Sequence, residues 1–234
     1  MIRIKAYIPN TITLLNLVCG VIACILAFRY DENIGPLTAY QWAFVSIGAA
    51  ALFDFMDGAM ARLLHAYSDI GKELDSLADL ISFGMAPAML VFNTVCYFSP
   101  GFSPWALISL FIVAMGALRL ARFNVDTRQT TSFIGLPIPA NAIFWIGFVA
   151  WINSHVYPGD WVMAIMMIGV SLLMVCNLRM FSLKFSDFSW RSNYRRYLLL
   201  ISAALLVLFA GIPGFAWTIL LYVLMSLVRM PETV

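Results

Sequence analysis

Asp54, Asp57, Asp75 and Asp79 are four carboxylates set in sequence otherwise suited to hydrocarbon. They fall in Asp54-Phe-Met-Asp57-Gly58-Ala-Met-Ala61-Arg62 and in Gly71-Lys-Glu-Leu-Asp75-Ser-Leu-Ala-Asp79. A carboxylate at the centre of a membrane helix costs about 2.5–3.5 kcal/mol on insertion scales, so four together call for something positive that binds them. Steps of three and four put Asp54, Asp57, Gly58, Ala61 and Arg62 on one helical stripe and Gly71, Asp75 and Asp79 on another. Two such acidic faces make an oxygen-rich cage for two hard divalent cations, and a pair of cations can clamp phosphate oxygens during displacement at phosphorus. Metal transport is the competing use of intramembrane acids.

The rest of the chain must place these stripes in a bilayer. Of 234 residues, 62% are hydrophobic and 11% charged, and the mean hydropathy is +0.89. Soluble domains carry about 25% charged residues, so the composition excludes a soluble fold and indicates an all-α integral membrane protein. Span-length apolar runs read as eight transmembrane helices: Asn10–Phe28, Tyr40–Leu64, Glu73–Phe98, Trp105–Phe123, Pro139–Asn153, Trp161–Leu178, Tyr197–Ala210 and Phe215–Val228. Turn-forming breaks separate them, as at Ser99-Pro-Gly101 and Gly211-Ile-Pro-Gly214. A count of six spans holds instead if the final hairpin only dips into the membrane. The expected organisation is one catalytic domain: a six-span core over 1–178, a cytoplasmic interfacial segment over 179–196 and a C-terminal helical hairpin over 197–234. The first apolar run lacks a small-residue cleavage site, so no signal peptide is expected.

Basic residues orient the spans. Thirteen of the fourteen Lys and Arg fall on one side and Arg29 on the other, so both termini and the acidic cluster are expected to face the cytoplasm from the cell (inner) membrane. The segment Lys184–Arg196 interleaves Phe185, Phe188, Trp190 and Tyr194 with basic residues, a mixture that suits anionic headgroups; no nucleic-acid partner is expected. The cysteines Cys19, Cys24, Cys96 and Cys176 lie in apolar segments without metal or disulfide spacing and read as small buried hydrophobes. His65 and His155 have no ligand-spaced partner and read as interfacial. Gly58 and Ala61 leave room either for a neighbouring helix or for a ligand, and Arg62 either meets a phosphate or snorkels.

The frame D-x-x-D-G-x-x-A-R-x8-G-x3-D-x3-D, which runs without departure from Asp54 to Asp79, resembles the signature of CDP-alcohol phosphatidyltransferases. Ser82-Phe-Gly84-Met-Ala-Pro87-Ala, Arg119-Leu-Ala-Arg122-Phe-Asn124 and Phe133-Ile-Gly135-Leu-Pro137-Ile-Pro139-Ala140 resemble the phosphatidylserine synthase branch. The resemblance covers roughly residues 8–142. It implies that CDP-diacylglycerol and L-serine are the substrates, that CMP is released, and that Mg2+ or Mn2+ serves as a two-metal cofactor. It implies metal ligation by Asp54, Asp57 and Asp75, with Asp79 at the edge of the cluster and also the general base. Gly58 and Ala61 would leave room for the cytidine, Arg62 and Ser68 would contact the nucleotide, and Asn10 and Thr13 would add a further contact. A homodimer is implied as well. Rival acceptors within the same chemistry are glycerol 3-phosphate, an inositol phosphate or choline, and from a different class the chain would be a divalent-cation transporter. Serine is a zwitterion, so its carboxylate needs a cation; Arg119, Arg122 and Lys72 are the expected candidates, while anchoring of the helix end is the other use of Arg119 and Arg122.

Overall fold

A computed structural model describes residues 2–101, 103–125, 133–181 and 189–227. Among them the protein is all-α, with two pairs of two-residue strands as its only sheet. The helices are α1 (Ile2–Phe28), α2 (Ala39–Leu63), α3 (Asp69–Asp79), α4 (Ala86–Phe98), α5 (Leu110–Val125), α6 (Ile138–Ser154), α7 (Asp160–Val175), α8 (Trp190–Ala210) and α9 (Gly214–Leu227). A π-helical turn, Leu80–Met85, joins α3 to α4, and a 3-10 turn, Pro104–Ser109, leads into α5. Each of the eight expected apolar runs is therefore helical. Among the described residues, five helical stretches are long and apolar enough to cross a membrane: Tyr7–Phe28, Ala39–Leu63, Asp69–Phe98, Pro104–Val125 and Asn193–Ala210. Ile138–Ser154, Asp160–Val175 and Gly214–Leu227 are apolar but shorter.

The third of these helical stretches starts at Asp69, four residues ahead of the expected Glu73, because Ser68 caps it. The Ser68 hydroxyl oxygen accepts from the Gly71 N–H at 3.0 Å, which satisfies one of the free donors of the first turn. The same stretch stays continuous past Pro87 through the π turn. Proline has no N–H for the carbonyl four residues back, which here is Phe83. Asn141 on α6 supplies the missing donor: its Nδ2 donates to the Phe83 carbonyl at 3.0 Å, and its Oδ1 accepts from Trp145 Nε1 at 3.0 Å. A bilayer interior holds no water to satisfy that carbonyl, so a side chain must.

α1 lies along α2 and also meets α3, the π turn and α4. α6 occupies the middle, with Phe144, Trp145, Val149 and Ile152 fully or almost fully buried. α9 packs closely on it where Gly147 meets the Ala216 backbone. Before α6, strand β3 (Phe133–Ile134) pairs antiparallel with β4 (Arg179–Met180). Gly135 follows at φ +77, against the Met174 carbonyl, a place and a conformation open only to glycine. The chain thus turns at Gly135 before it enters α6.

Candidate active site

The acidic stripes of α2 and α3 face each other across α1. Asp54, Asp57 and Asp75 can each offer a carboxylate oxygen such that all three lie within 4.8 Å of one another. Asp57 is buried and accepts a 2.6 Å hydrogen bond from Thr13 Oγ1 on α1. Asp75 Oδ1 is buried and has no hydrogen-bond partner among the described residues. Three converging carboxylates and an orphaned carboxylate oxygen, with no salt bridge to any of them among the described residues, fit a hard cation: oxygen donors, excess negative charge and an unused lone pair.

Beside this group opens a cavity of about 220 Å3. Asn10 and Thr13 of α1, Asp57, Gly58 and Ala61 of α2, and Ser68, Gly71, Lys72 and Asp75 in and before α3 line it, together with Pro9, Ala66 and Tyr67. Gly58 decides between packing and ligand space. A Cβ there would meet nothing within 4 Å, so no helix packs against this glycine and the space belongs to the cavity. Gly71 differs, since its Cβ would stand 3.0 Å from Asn10 Oδ1 and from Ser68 Oγ. Arg62 shares the stripe but is exposed and does not line the cavity.

Asp79 stands apart from the three-carboxylate group. Its Oδ1 accepts a 3.4 Å hydrogen bond from Asn16 Nδ2 of α1. On its other side runs α5, antiparallel to α3. Asn124 Nδ2 donates to Ser76 Oγ at 2.9 Å and Lys72 Nζ donates to the Asn124 carbonyl at 3.2 Å; farther along, a Cβ at Gly116 would lie 3.8 Å from Leu80. Arg119, between those two contacts, comes level with Asp79 and interacts with its charge and with Tyr222.

The three expected acceptor cations therefore differ. Arg119 is buried, at 8% exposure, its Nε has no hydrogen-bond partner, and its guanidinium lies 5.5 Å from the Phe123 ring centroid. A residue that only anchored the helix end would snorkel, so the anchoring alternative does not describe Arg119. It does describe Arg122, which is exposed and donates to the Val175 carbonyl at the end of α7 at 3.0 Å. Lys72 is exposed and lines the cavity. Arg128 and residues 182–188 of the aromatic-basic segment lie outside the described residues. Of the histidines, His65 is exposed, and His155, also exposed, stacks on Trp151. The four cysteines are free: Cys24 is buried and the others half-buried.

Sequence reading missed Asn16, Ser82 and Asn141. The signal for Asn16 was its place on the Asn10–Thr13 face of α1, three residues past Thr13.

Residues 6–176 match the family model described as CDP-alcohol phosphatidyltransferase. The chain is similar to curated proteins named CDP-diacylglycerol–serine O-phosphatidyltransferase. That of Methanocaldococcus jannaschii is 34% identical over 225 residues, covering 95% of this chain and 93% of that protein. That of Bacillus subtilis is 36% identical over 173 residues, covering 74% and 89%. That of Helicobacter pylori strain 26695 is 32% identical over 228 residues, covering 94% and 90%.

Proposed function

The chain belongs to the CDP-alcohol phosphatidyltransferase family, and on that footing we propose that it transfers a phosphatidyl group from CDP-diacylglycerol to the hydroxyl of L-serine. The products are phosphatidylserine and CMP. The observation that carries the reading is the three-carboxylate group at the wall of a cavity kept open by Gly58 and Ala61. The names of the relatives supply the acceptor.

In this mechanism Asp54, Asp57 and Asp75 hold divalent cations, Mg2+ or Mn2+, with Asp79 at the edge. A divalent cation held by these residues would supply positive charge to the pyrophosphate as CMP leaves. Thr13 fixes one Asp57 oxygen and so directs the other. Gly58 and Ala61 admit the cytidine, while Asn10, Thr13 and Ser68 offer polar contacts along the cavity; Arg62 meets the nucleotide only by turning in from the surface. Asp79, outside the cation group, takes the proton of the serine hydroxyl, a poor nucleophile until deprotonated. The bond formed joins the serine oxygen to phosphorus, and the bond broken frees CMP. Arg119 receives the serine carboxylate, a role its buried and unpartnered Nε supports better than the occupied guanidinium of Arg122. Lys72 is close enough to the cavity to assist.

Eight spans with cytoplasmic termini, a core over 1–178 with an appended hairpin, an active site facing the cytoplasm and a homodimer complete the proposal. Cysteine-accessibility mapping of both faces and the mass of the detergent-solubilised protein test these.

The deciding assay follows CMP release by purified protein from CDP-diacylglycerol with Mg2+ or Mn2+, with and without L-serine. Release that requires both serine and metal and yields phosphatidylserine is the expected result. Release triggered by another alcohol instead would discard the acceptor. No release with any acceptor would discard the reading and turn attention to cation transport.

A further inference from the structure

Asn16 is fully buried in an apolar stretch of α1, and only one end of its carboxamide is used. Nδ2 faces Asp79 Oδ1 at 3.4 Å, while Oδ1 is buried without a hydrogen-bond partner among the described residues. A carboxamide retained for packing alone would be turned to satisfy both ends, because an orphaned buried acceptor costs stability. The backbone around it is clamped as well. The Asn16 carbonyl accepts a 3.0 Å hydrogen bond from Ser82 Oγ, which is itself fully buried in the π turn just after Asp79. Ser82 reaches α1 only because Gly20, one turn past Asn16, has no side chain; a Cβ there would lie 2.8 Å from Ser82 Cα. Two hydrogen bonds and one close backbone approach thus bind α1 to Asp79 and to the π turn that follows it.

We infer that Asn16 is a positioning residue for the transfer reaction: its amide group sets the direction of the Asp79 carboxylate, and the Ser82–Gly20 contact sets the direction of Asn16. This rests on the reading of Asp79 as the base. The one side-chain hydrogen bond given for Asn16 goes to Asp79, and Asn16 does not line the cavity, so it acts on the proton-transfer step rather than on binding of the nucleotide or the metal. Misplacing a reacting group by about 1 Å can cost about a hundredfold in rate.

The test is Asn16→Leu, which keeps the number and branching of the side-chain heavy atoms and removes the donor. Expected is a fall of about tenfold to a hundredfold in kcat, with KM for CDP-diacylglycerol, KM for serine and the metal concentration for half activity all unchanged. A purely structural role predicts the reverse, since leucine in this apolar setting removes an orphaned acceptor and should be tolerated with kcat intact. Unchanged kcat, or a rise in either KM with kcat preserved, overturns the inference. If Asn16→Leu does not fold by size-exclusion profile, Ser82→Ala takes its place; it removes the hydroxyl that holds the Asn16 carbonyl, and a several-fold loss of kcat alone is expected. Asp79→Asn separates the two levels. Full activity in Asp79→Asn overturns the base assignment itself, whereas an inactive Asp79→Asn beside a fully active Asn16→Leu overturns only the role of Asn16.

Discussion

Gly20→Ala should damage the reaction while leaving the fold intact, although the residue is remote from the cavity. A methyl at Gly20 would stand 2.8 Å from Ser82 Cα and 3.0 Å from Ser82 N. Those are backbone atoms that cannot turn aside, so α1 and the π turn must separate by about 0.6 Å to regain ordinary van der Waals contact. The Ser82 hydroxyl, also in the path of the methyl, loses its bond to the Asn16 carbonyl. Scaled from about a hundredfold per 1 Å of misplacement, 0.6 Å costs about tenfold in kcat, or about 1.4 kcal/mol on the barrier. The stability cost is smaller than the contact suggests. Overpacking costs about 1–3 kcal/mol, but alanine in place of a helical glycine returns about 0.5–1 kcal/mol. Gly48→Ala in α2 is the matched control, because a Cβ there meets nothing within 4 Å. Steady-state CMP release and thermal unfolding in the same detergent read both quantities. A Gly20→Ala protein with the kcat of Gly48→Ala would refute the link between the α1–π-turn contact and the reacting carboxylate.

Gly58→Leu should raise the KM for CDP-diacylglycerol by more than tenfold with the melting temperature unchanged, because the added side chain enters cavity space and not a helix contact. Thr13→Val removes the hydrogen bond that orients Asp57 and should raise the metal concentration for half activity by about tenfold to a hundredfold, measured by metal titration of CMP release. Arg119→Ala should raise the serine KM by about tenfold or more, as expected for a lost charged hydrogen bond, whereas Arg122→Ala should stay within about threefold; equal effects would return Arg122 to the acceptor pocket. Asn141→Leu orphans the Phe83 carbonyl and the Trp145 N–H at once and should lower unfolding stability by about 2–4 kcal/mol, read by chemical denaturation.

Periodicity made the carboxylate site legible. Steps of three and four carry side-chain direction within one helix, so Asp54, Asp57, Gly58 and Ala61 could be placed on one face before any contact was known. Hydropathy located every helix, but starts differ by four residues at α3, where Ser68 caps the first turn, and by eight and seven at α1 and α8, whose polar first turns precede the apolar run. What stayed hidden depends on the rotation of one helix against another. Arg119 and Arg122 differ by less than one turn and look alike in sequence, yet one is buried level with Asp79 and the other caps α7. Asn16 drew no notice in sequence because its partner, Asp79, is 63 positions away.

Spacing alone does not distinguish the four aspartates, which in sequence only the family resemblance divided; the helix contacts now divide them. Asp75 and Asp79 are one turn apart on α3 and point to the same side, but what lies opposite each differs. Asp75 faces the carboxylates of α2, a concentration of negative charge that a bound cation would relieve. Asp79 faces an amide donor from α1 and lies level with Arg119 of α5, between the Asn124–Ser76 and Gly116–Leu80 contacts. A carboxylate bound tightly to two cations is a poor proton acceptor, since the cations hold its lone pairs. On the proposed mechanism this division would let one acidic cluster serve both needs of the reaction: Asp54, Asp57 and Asp75 would hold the metal that neutralises the phosphate, and Asp79, one turn beyond Asp75, would take the proton.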